Sequence, residues 1–92
     1  MATHYSDAFQ GKRNAKGGIF DQNGLTAATH EKYAFGTKVK VTNLKTNKSV
    51  VVTVTDRLAA GNTTLIDISR RAAREIGMGR AGRARVSVEV HP

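Results

Sequence analysis

Alternating apolar and polar positions dominate the second half of the chain. Valines alternate with lysine and threonine over 38–42, and a second valine-rich run over 50–55 has the same period. A period of two predicts β-strands that bury one face. Because the polar segment 43–48 between these runs is short, the two strands are expected to form a hairpin. A third run, 84–90, places alanine and valine at its even positions, which predicts a last strand with those side chains facing the core.

One segment has the pattern of a helix. Ser69 is a good N-cap, strong helix formers follow it over 70–76, and Gly77 suits the C′ position. The helix is therefore expected over about 69–76. The residues expected to face the core are Ala72, Ala73 and Ile76.

The first 37 residues show no sustained period and contain turn signals at 16–18 and 23–24. They are interpreted as short strands and ordered loops, and 65–68 as a brief buried strand before the helix. The fold class is thus mainly β with one short α-helix. At this size, closing the sheet into a small barrel is the economical way to remove exposed edges.

Size and composition limit the kinds of function. With 92 residues, the sequence is expected to form one domain over 1–92, too small for a deep cofactor cavity, and no cofactor is expected. Because cysteine is absent, disulfides, thiolate metal sites and a cysteine nucleophile are excluded. The formal net charge of +8 favours a polyanionic partner, either nucleic acid, an anionic lipid surface or an acidic polymer.

A membrane-spanning helix needs an apolar run of about 18 residues, and no run in the sequence is that long. No membrane span is therefore expected. The first five residues lack the basic and apolar regions of a secretory signal. Export would therefore require a targeting segment outside this sequence.

Few acidic residues are candidates for chemistry. Asp56 ends a predicted strand beside an irregular loop, where acid–base residues commonly lie, although capping of its own turn or pairing with Arg57 explains it equally well. Asp67, two residues before the helix N-cap, is expected to bind backbone N–H groups at the helix start. His30 is a weaker candidate in a polar loop. The three histidines lack metal-ligand spacing, so no metal site is expected.

Aromatic and basic residues supply candidate binding positions. Phe20 and Phe35 are expected in the core, which leaves Tyr5, Phe9 and Tyr33 as platforms for a ligand. Six arginines are concentrated near the C-terminus and suggest an anion-binding patch, but the aromatic strand motif of RNA-binding domains is missing, so nucleic acid is disfavoured. These arginines are Arg70, Arg71, Arg74, Arg80, Arg83 and Arg85.

The order of motifs resembles that of the rare lipoprotein A-like (RlpA-like) proteins. Segments 9–12 and 14–21 (FQGK, NAKGGIFD) resemble that family's FHGR and TANGExFD, and 25–28 followed by 35–44 (LTAA, FGTKVKVTNL) resembles its LTAAH and LPFGTxVRVTNL. The last two matches are SVVVTVTDR at 49–57, similar to SVVVxxNDR, and IDIS at 66–69, similar to IDLS. The resemblance covers nearly the whole chain.

This resemblance implies a six-stranded double-psi β-barrel with one short helix, related to expansins and barwin-like proteins. It also implies a periplasmic or secreted protein that acts on peptidoglycan as a lytic transglycosylase or binds its glycan strands. Of the two acids in the groove of catalytic members, Asp56 is retained, but Gly18 stands at the position of the glutamate. Thr29 shifts the family histidine by one residue to His30, and His4 stands where a tryptophan is expected.

Two functions follow as alternatives. The first is a monomeric cell-envelope domain that binds peptidoglycan or another acidic polysaccharide, with weak or absent cleavage because Gly18 has no carboxyl group. The second is a secreted barrel that binds a protein, such as an inhibitor of cysteine or serine proteases. Under the first alternative, Asp56 is the candidate general acid and His30 its weak helper. The substrate contacts are Tyr5, Phe9, Tyr33 and Arg57.

Overall fold

In the computed structural model, the described residues form seven strands and one helix. The strands are β1 (Ala2–His4), β2 (Thr26–Thr29), β3 (Lys38–Asn43), β4 (Ser49–Arg57), β5 (Ile66–Ile68), β6 (Arg83–Ala84) and β7 (Val86–Val90). The helix, α1, is Arg70–Glu75. The structure describes residues 1–4, 10–15, 17–19, 21–29, 32–58, 61, 64–78 and 82–91.

All seven strands belong to one mixed sheet in the order β6-β1-β5-β2-β4-β3-β7. This confirms the mainly β class with one short helix. The pairing leaves β6 and β7 as the two edges of the sheet, so the sheet is not closed by hydrogen bonds. Because Arg85 alone separates these two strands in the chain, the segment 83–90 is one extended stretch that pairs with β1 and then with β3. Counting that stretch once reconciles the seven observed strands with the six expected.

The β3–β4 hairpin forms as the alternation predicts. Its antiparallel register pairs Val39 with Val52 and Val41 with Val50, and three of these four side chains are fully buried. Val54 continues the buried face of β4. The last alternating run, over 84–90, is only partly buried. Val90, at the end of the edge strand β7, is 58% exposed.

The helix buries the face that its sequence indicates. Ala72, Ala73 and Ile76 are in the core, and the Ser69 hydroxyl accepts a hydrogen bond from the Ala72 N–H at 3.3 Å, which confirms the N-cap. A second cap comes from Gln22, whose side-chain oxygen accepts a hydrogen bond from the Arg70 N–H at 2.8 Å. The helix is therefore tied to the loop before β2 at its first turn.

The helix ends at a tight junction with the β3–β4 turn. Gly77 has a φ of +73°, in agreement with the predicted C′ position. The Ile76 carbonyl accepts hydrogen bonds from Asn43 Nδ2 at 2.9 Å and from Thr46 Oγ1 at 2.7 Å. Among the residues described, no helix has the length and apolarity needed to cross a membrane.

Candidate functional site

A β-bulge sets the direction of the Asp56 side chain. The parallel register of β2 and β4 pairs Ala27 with Val54 but Ala28 with Asp56, so Thr55 is an extra residue in β4. In a regular strand, Asp56 would share the inward face of Val54. The bulge shifts this alternation by one residue, so that Asp56 projects with Ala28 from the outer face of the sheet.

Asp67 lies on the other side of the same alanine. The antiparallel register of β2 and β5 pairs Ala28 with Asp67, between the buried residues Ile66 and Ile68. Register partners on adjacent strands project to the same face. Asp56 and Asp67 therefore flank Ala28 on the outer face of the sheet, and both side chains are half-buried.

This row of side chains continues across the sheet. Thr3 is the register partner of Asp67 on one side and of Arg83 on the other. Its hydroxyl donates a hydrogen bond to Asp67 Oδ1 at 3.1 Å. We call the five residues Arg83, Thr3, Asp67, Ala28 and Asp56 the outer row.

The two carboxylates are separated by a small apolar floor. Adjacent strands lie about 4.8 Å apart, so the Cα atoms of Asp56 and Asp67 are about 10 Å from one another across β2. Ala28 is 4% exposed and packs with Leu58, apart from the main core. The arrangement places two acids on either side of a floor made by small and aliphatic side chains.

Asp56 also contacts the backbone of the next residue, because its Oδ1 accepts a hydrogen bond from the Arg57 N–H at 3.0 Å. This contact agrees with the structural alternative for Asp56, in which it caps its own turn or pairs with Arg57. It occupies one carboxylate oxygen and fixes the side chain at the end of β4. At the start of the helix, Ser69 and Gln22 cap the first turn, and Asp67 Oδ1 accepts a hydrogen bond from the Thr3 hydroxyl.

Arg57 holds the loop that precedes β3. Its Nη1 donates a hydrogen bond to the Tyr33 carbonyl at 2.7 Å, and its guanidinium carbon lies 4.1 Å from the centroid of the Phe35 ring. The expectation that Phe35 is a core residue is wrong, because its side chain is 39% exposed and covers the arginine. The Tyr33 ring is half-buried and packs against the main core. These contacts give Arg57 and Tyr33 a structural function beside the predicted substrate contact.

Gly18 lies on a small exposed hairpin. Arg13 and Ile19 form an antiparallel bridge, and the Gly18 N–H donates a hydrogen bond to the Asn14 side-chain oxygen at 3.0 Å. A Cβ placed on Gly18 would come no closer than 3.5 Å to another side chain, and its φ is not positive. The backbone at position 18 therefore does not require glycine, and a residue with a side chain would fit there.

The remaining predicted site residues, Tyr5, Phe9 and His30, lie outside the described residues. Of the described side chains, no group of three or more histidines and carboxylates is arranged to hold a metal ion. Asp67 is the residue that the sequence reasoning did not assign to the site. The position of Asp67 between two isoleucines indicates that its side chain faces outward. That Asp67 and Asp56 are both register partners of Ala28 can be known only from the strand pairing.

The family model and the similar proteins point to the same family. Residues 1–88 match the family model described as lytic transglycolase. The chain is 44% identical over 90 residues to the probable endolytic peptidoglycan transglycosylase RlpA of Synechocystis, and 42% identical over 90 residues to the endolytic peptidoglycan transglycosylase RlpA of Campylobacter jejuni. Each alignment covers 98% of this chain, but only 28% and 32% of the respective relative.

A relative of similar length also exists. The chain is 42% identical over 87 residues to an uncharacterized Synechocystis protein, an alignment that covers 95% of this chain and 91% of that protein. Sequences of this type therefore occur both as about a third of longer proteins and as nearly a whole protein.

Proposed function

Because the chain belongs to the lytic transglycolase family of double-psi β-barrels, we propose that it is a cell-envelope domain that binds the glycan strands of peptidoglycan and cleaves them weakly or not at all. The observation that carries this proposal is the outer row, in which Asp56 and Asp67 flank Ala28 on one face of the sheet. Carboxyl groups beside a small apolar floor suit the hydroxyl groups of a sugar, because their oxygens form hydrogen bonds with hydroxyls.

The chemistry expected of the site needs a proton donor and a proton acceptor. In lytic cleavage of a glycan, an acid protonates the glycosidic oxygen as the bond to C1 breaks. The 6-hydroxyl oxygen of the same sugar then bonds to C1 and gives its proton to a base. Asp56 is the proposed acid. A positioned acid or base contributes about 10²–10⁴-fold to the rate, so replacing the family glutamate by Gly18 lowers cleavage by that order.

Binding to the wall polymer is the first test. The protein is incubated with purified sacculi and sedimented, with salt added to screen the nonspecific attraction of a protein with a net charge of +8. The expected result is co-sedimentation that persists at the higher salt concentration, with little or no release of muropeptides. Failure of both sedimentation and release contradicts the proposal.

An Asp56→Asn variant separates the binder from the enzyme. Since asparagine keeps the size of the side chain but cannot donate a carboxyl proton, it abolishes any muropeptide release measured for the natural sequence. Sacculus binding is expected to persist, because the amide still forms hydrogen bonds with sugars. Glu89→Gln, on the exposed face of β7, is the matched control and leaves both measurements unchanged.

The envelope location follows from the same proposal, since its substrate lies outside the cytoplasmic membrane. The protein-binding alternative makes a different prediction. A protease-inhibiting barrel blocks papain or trypsin at micromolar concentration and does not sediment with sacculi.

A further inference from the structure

A cavity of about 480 Å³ lies beside the β3–β4 turn. Its walls are the turn residues 43–46, the end of the helix at 77–78 and the segment 83–85, and we call it the basic pocket. The turn is at the opposite end of the hairpin from Asp56, since β4 runs from Ser49 to Arg57. At about 3.3 Å per residue, the seven steps from Ser49 to Asp56 along β4 span about 23 Å. The basic pocket is therefore separate from Asp56, and it meets the outer row at Arg83.

Hydrogen bonds hold the three walls together. The Leu44 N–H donates to the Arg85 carbonyl at 3.0 Å and joins the turn to the last segment. Asn43 and Thr46 both donate to the Ile76 carbonyl and join the turn to the end of the helix. Each contact links residues distant in sequence, so the cavity is formed by the fold itself. Its volume lies in the range of small-ligand and side-chain pockets, about 300–1,000 Å³.

The charged side chains among the described walls of the pocket are all positive. Lys45, Arg83 and Arg85 lie in its walls with exposed side chains. Within the described part of the chain, no carboxylate lines the pocket and no ion pair involves these three residues. The negative end of the helix does not offset them, because the Ile76 carbonyl already accepts two hydrogen bonds.

The pocket also has an apolar part. Leu44 is 59% exposed at its edge and Ala84 contributes further apolar surface, while Met78, a core residue that is 5% exposed, lies at the base. No aromatic side chain is found among its described lining residues, so nucleobases have nothing on which to stack. A bare phosphate or a sulfated sugar leaves the aliphatic surface unused. The chemistry fits a ligand in which carboxylates alternate with aliphatic groups.

We propose that the basic pocket binds an acidic peptide segment of a partner protein, with an aliphatic side chain against Leu44 and Ala84 and carboxylates paired with Lys45, Arg83 and Arg85. A peptide presents both groups at the spacing of neighbouring side chains, and a concave pocket admits a single side chain better than a flat lipid surface. The pocket shares Arg83 with the outer row, whereas Lys45, Arg85 and Leu44 belong to the pocket alone and can be changed without altering the two carboxylates.

The test uses fluorescence anisotropy with the labelled peptide acetyl-Glu-Leu-Glu-Leu-Glu-amide. We expect saturable binding to the 92-residue chain. A peptide with glutamine in place of the central glutamate, and one with serine in place of one leucine, should each bind about tenfold more weakly, which corresponds to the loss of one charge-assisted or one apolar contact.

Charge-reversal variants locate the site. Lys45→Glu and Arg85→Glu each weaken peptide binding at least about tenfold, whereas Lys38→Glu, an exposed lysine at the other end of the hairpin, changes it less than about twofold. Leu44→Ser weakens binding without changing the net charge. Thermal unfolding of each variant shows that the fold is retained, as expected for exposed positions.

Four outcomes overturn the proposal. They are the absence of saturable peptide binding, an equal loss in the Lys38→Glu variant, unchanged binding in Leu44→Ser, and binding of anionic phosphatidylglycerol vesicles or soluble glycan strands in preference to the peptide. Sacculus binding by Lys45→Glu is measured in parallel. If it is retained while peptide binding is lost, the two sites are distinct, and failure of one proposal leaves the other standing.

Discussion

Asp56 and Asp67 are both register partners of Ala28, one from the parallel strand β4 and the other from the antiparallel strand β5. The two acids are eleven residues apart in the chain and come together only because β2 lies between their strands. A bulge at Thr55 is necessary for this relationship, since it moves Asp56 to the outer face. Asp67 therefore places a second carboxylate near Asp56. Gly18 has no side chain that could supply the carboxylate expected from the family resemblance.

Restoring the family glutamate should raise cleavage of glycan. Gly18→Glu fits the backbone, because Gly18 has no positive φ and its Cβ would meet only ordinary contacts with Asn14. We expect muropeptide release from sacculi to increase about 100-fold, the contribution of one positioned acid or base. Mass spectrometry of the soluble products measures it.

Gly17→Glu is the control for that experiment. Gly17 has a φ of +105°, so a side chain there strains the backbone and should destabilise the protein by about 1 kcal/mol without increasing cleavage. If Gly18→Glu leaves muropeptide release unchanged, the position does not face the substrate.

Thr3 should stabilise the orientation of Asp67. Thr3→Val keeps the shape of the side chain but removes the hydroxyl that donates to Asp67 Oδ1, so the free energy of unfolding should fall by about 1–2 kcal/mol. Urea denaturation measures the difference. Thr3→Ser keeps the donor and should restore most of the lost stability. Equal stability of the valine variant and the natural sequence would show that this hydrogen bond contributes nothing.

Arg57 and Phe35 should be energetically coupled. Arg57→Lys loses the planar group that lies over the Phe35 ring and weakens the bond to the Tyr33 carbonyl, while Phe35→Leu removes the ring alone. A double-mutant cycle should give a coupling energy of about 0.5–1 kcal/mol, as for an exposed cation–π pair. Additive losses in the two variants would indicate that the stacked geometry has no energetic effect.

Gly77 should be intolerant of a side chain. Its φ is +73°, and a Cβ there would lie 3.1 Å from Thr46 Cγ2, so Gly77→Ala is expected to destabilise the protein by about 1–2 kcal/mol. Chemical denaturation of Gly82→Ala serves as the comparison, because Gly82 has no positive φ and open space around it. A similar stability change in both variants would contradict the proposed strain at Gly77.

Local sequence determined the elements of this fold and much of their burial. Alternating valines specify the β3–β4 hairpin because a strand exposes its side chains to two faces in turn, and that pattern needs no distant information. The helix was equally predictable, since Ser69 and Gly77 satisfy its ends through contacts with neighbouring residues. The motif order likewise indicated the family from the sequence, whereas the assignment of Asp56 and Gly18 to the positions of the two acids stays a prediction.

The tertiary structure alone decided which distant residues meet. Pairing of β2 with both β4 and β5 places Asp67 beside Ala28, and no local pattern encodes a register between strands separated by dozens of residues. Phe35 is exposed for a related reason: its apolar ring covers the Arg57 guanidinium instead of entering the core. The basic pocket also depends on three segments joined by long-range hydrogen bonds. Sequence sets what each segment can form, whereas the free energy of pairing and burying those segments together sets where the chemistry lies.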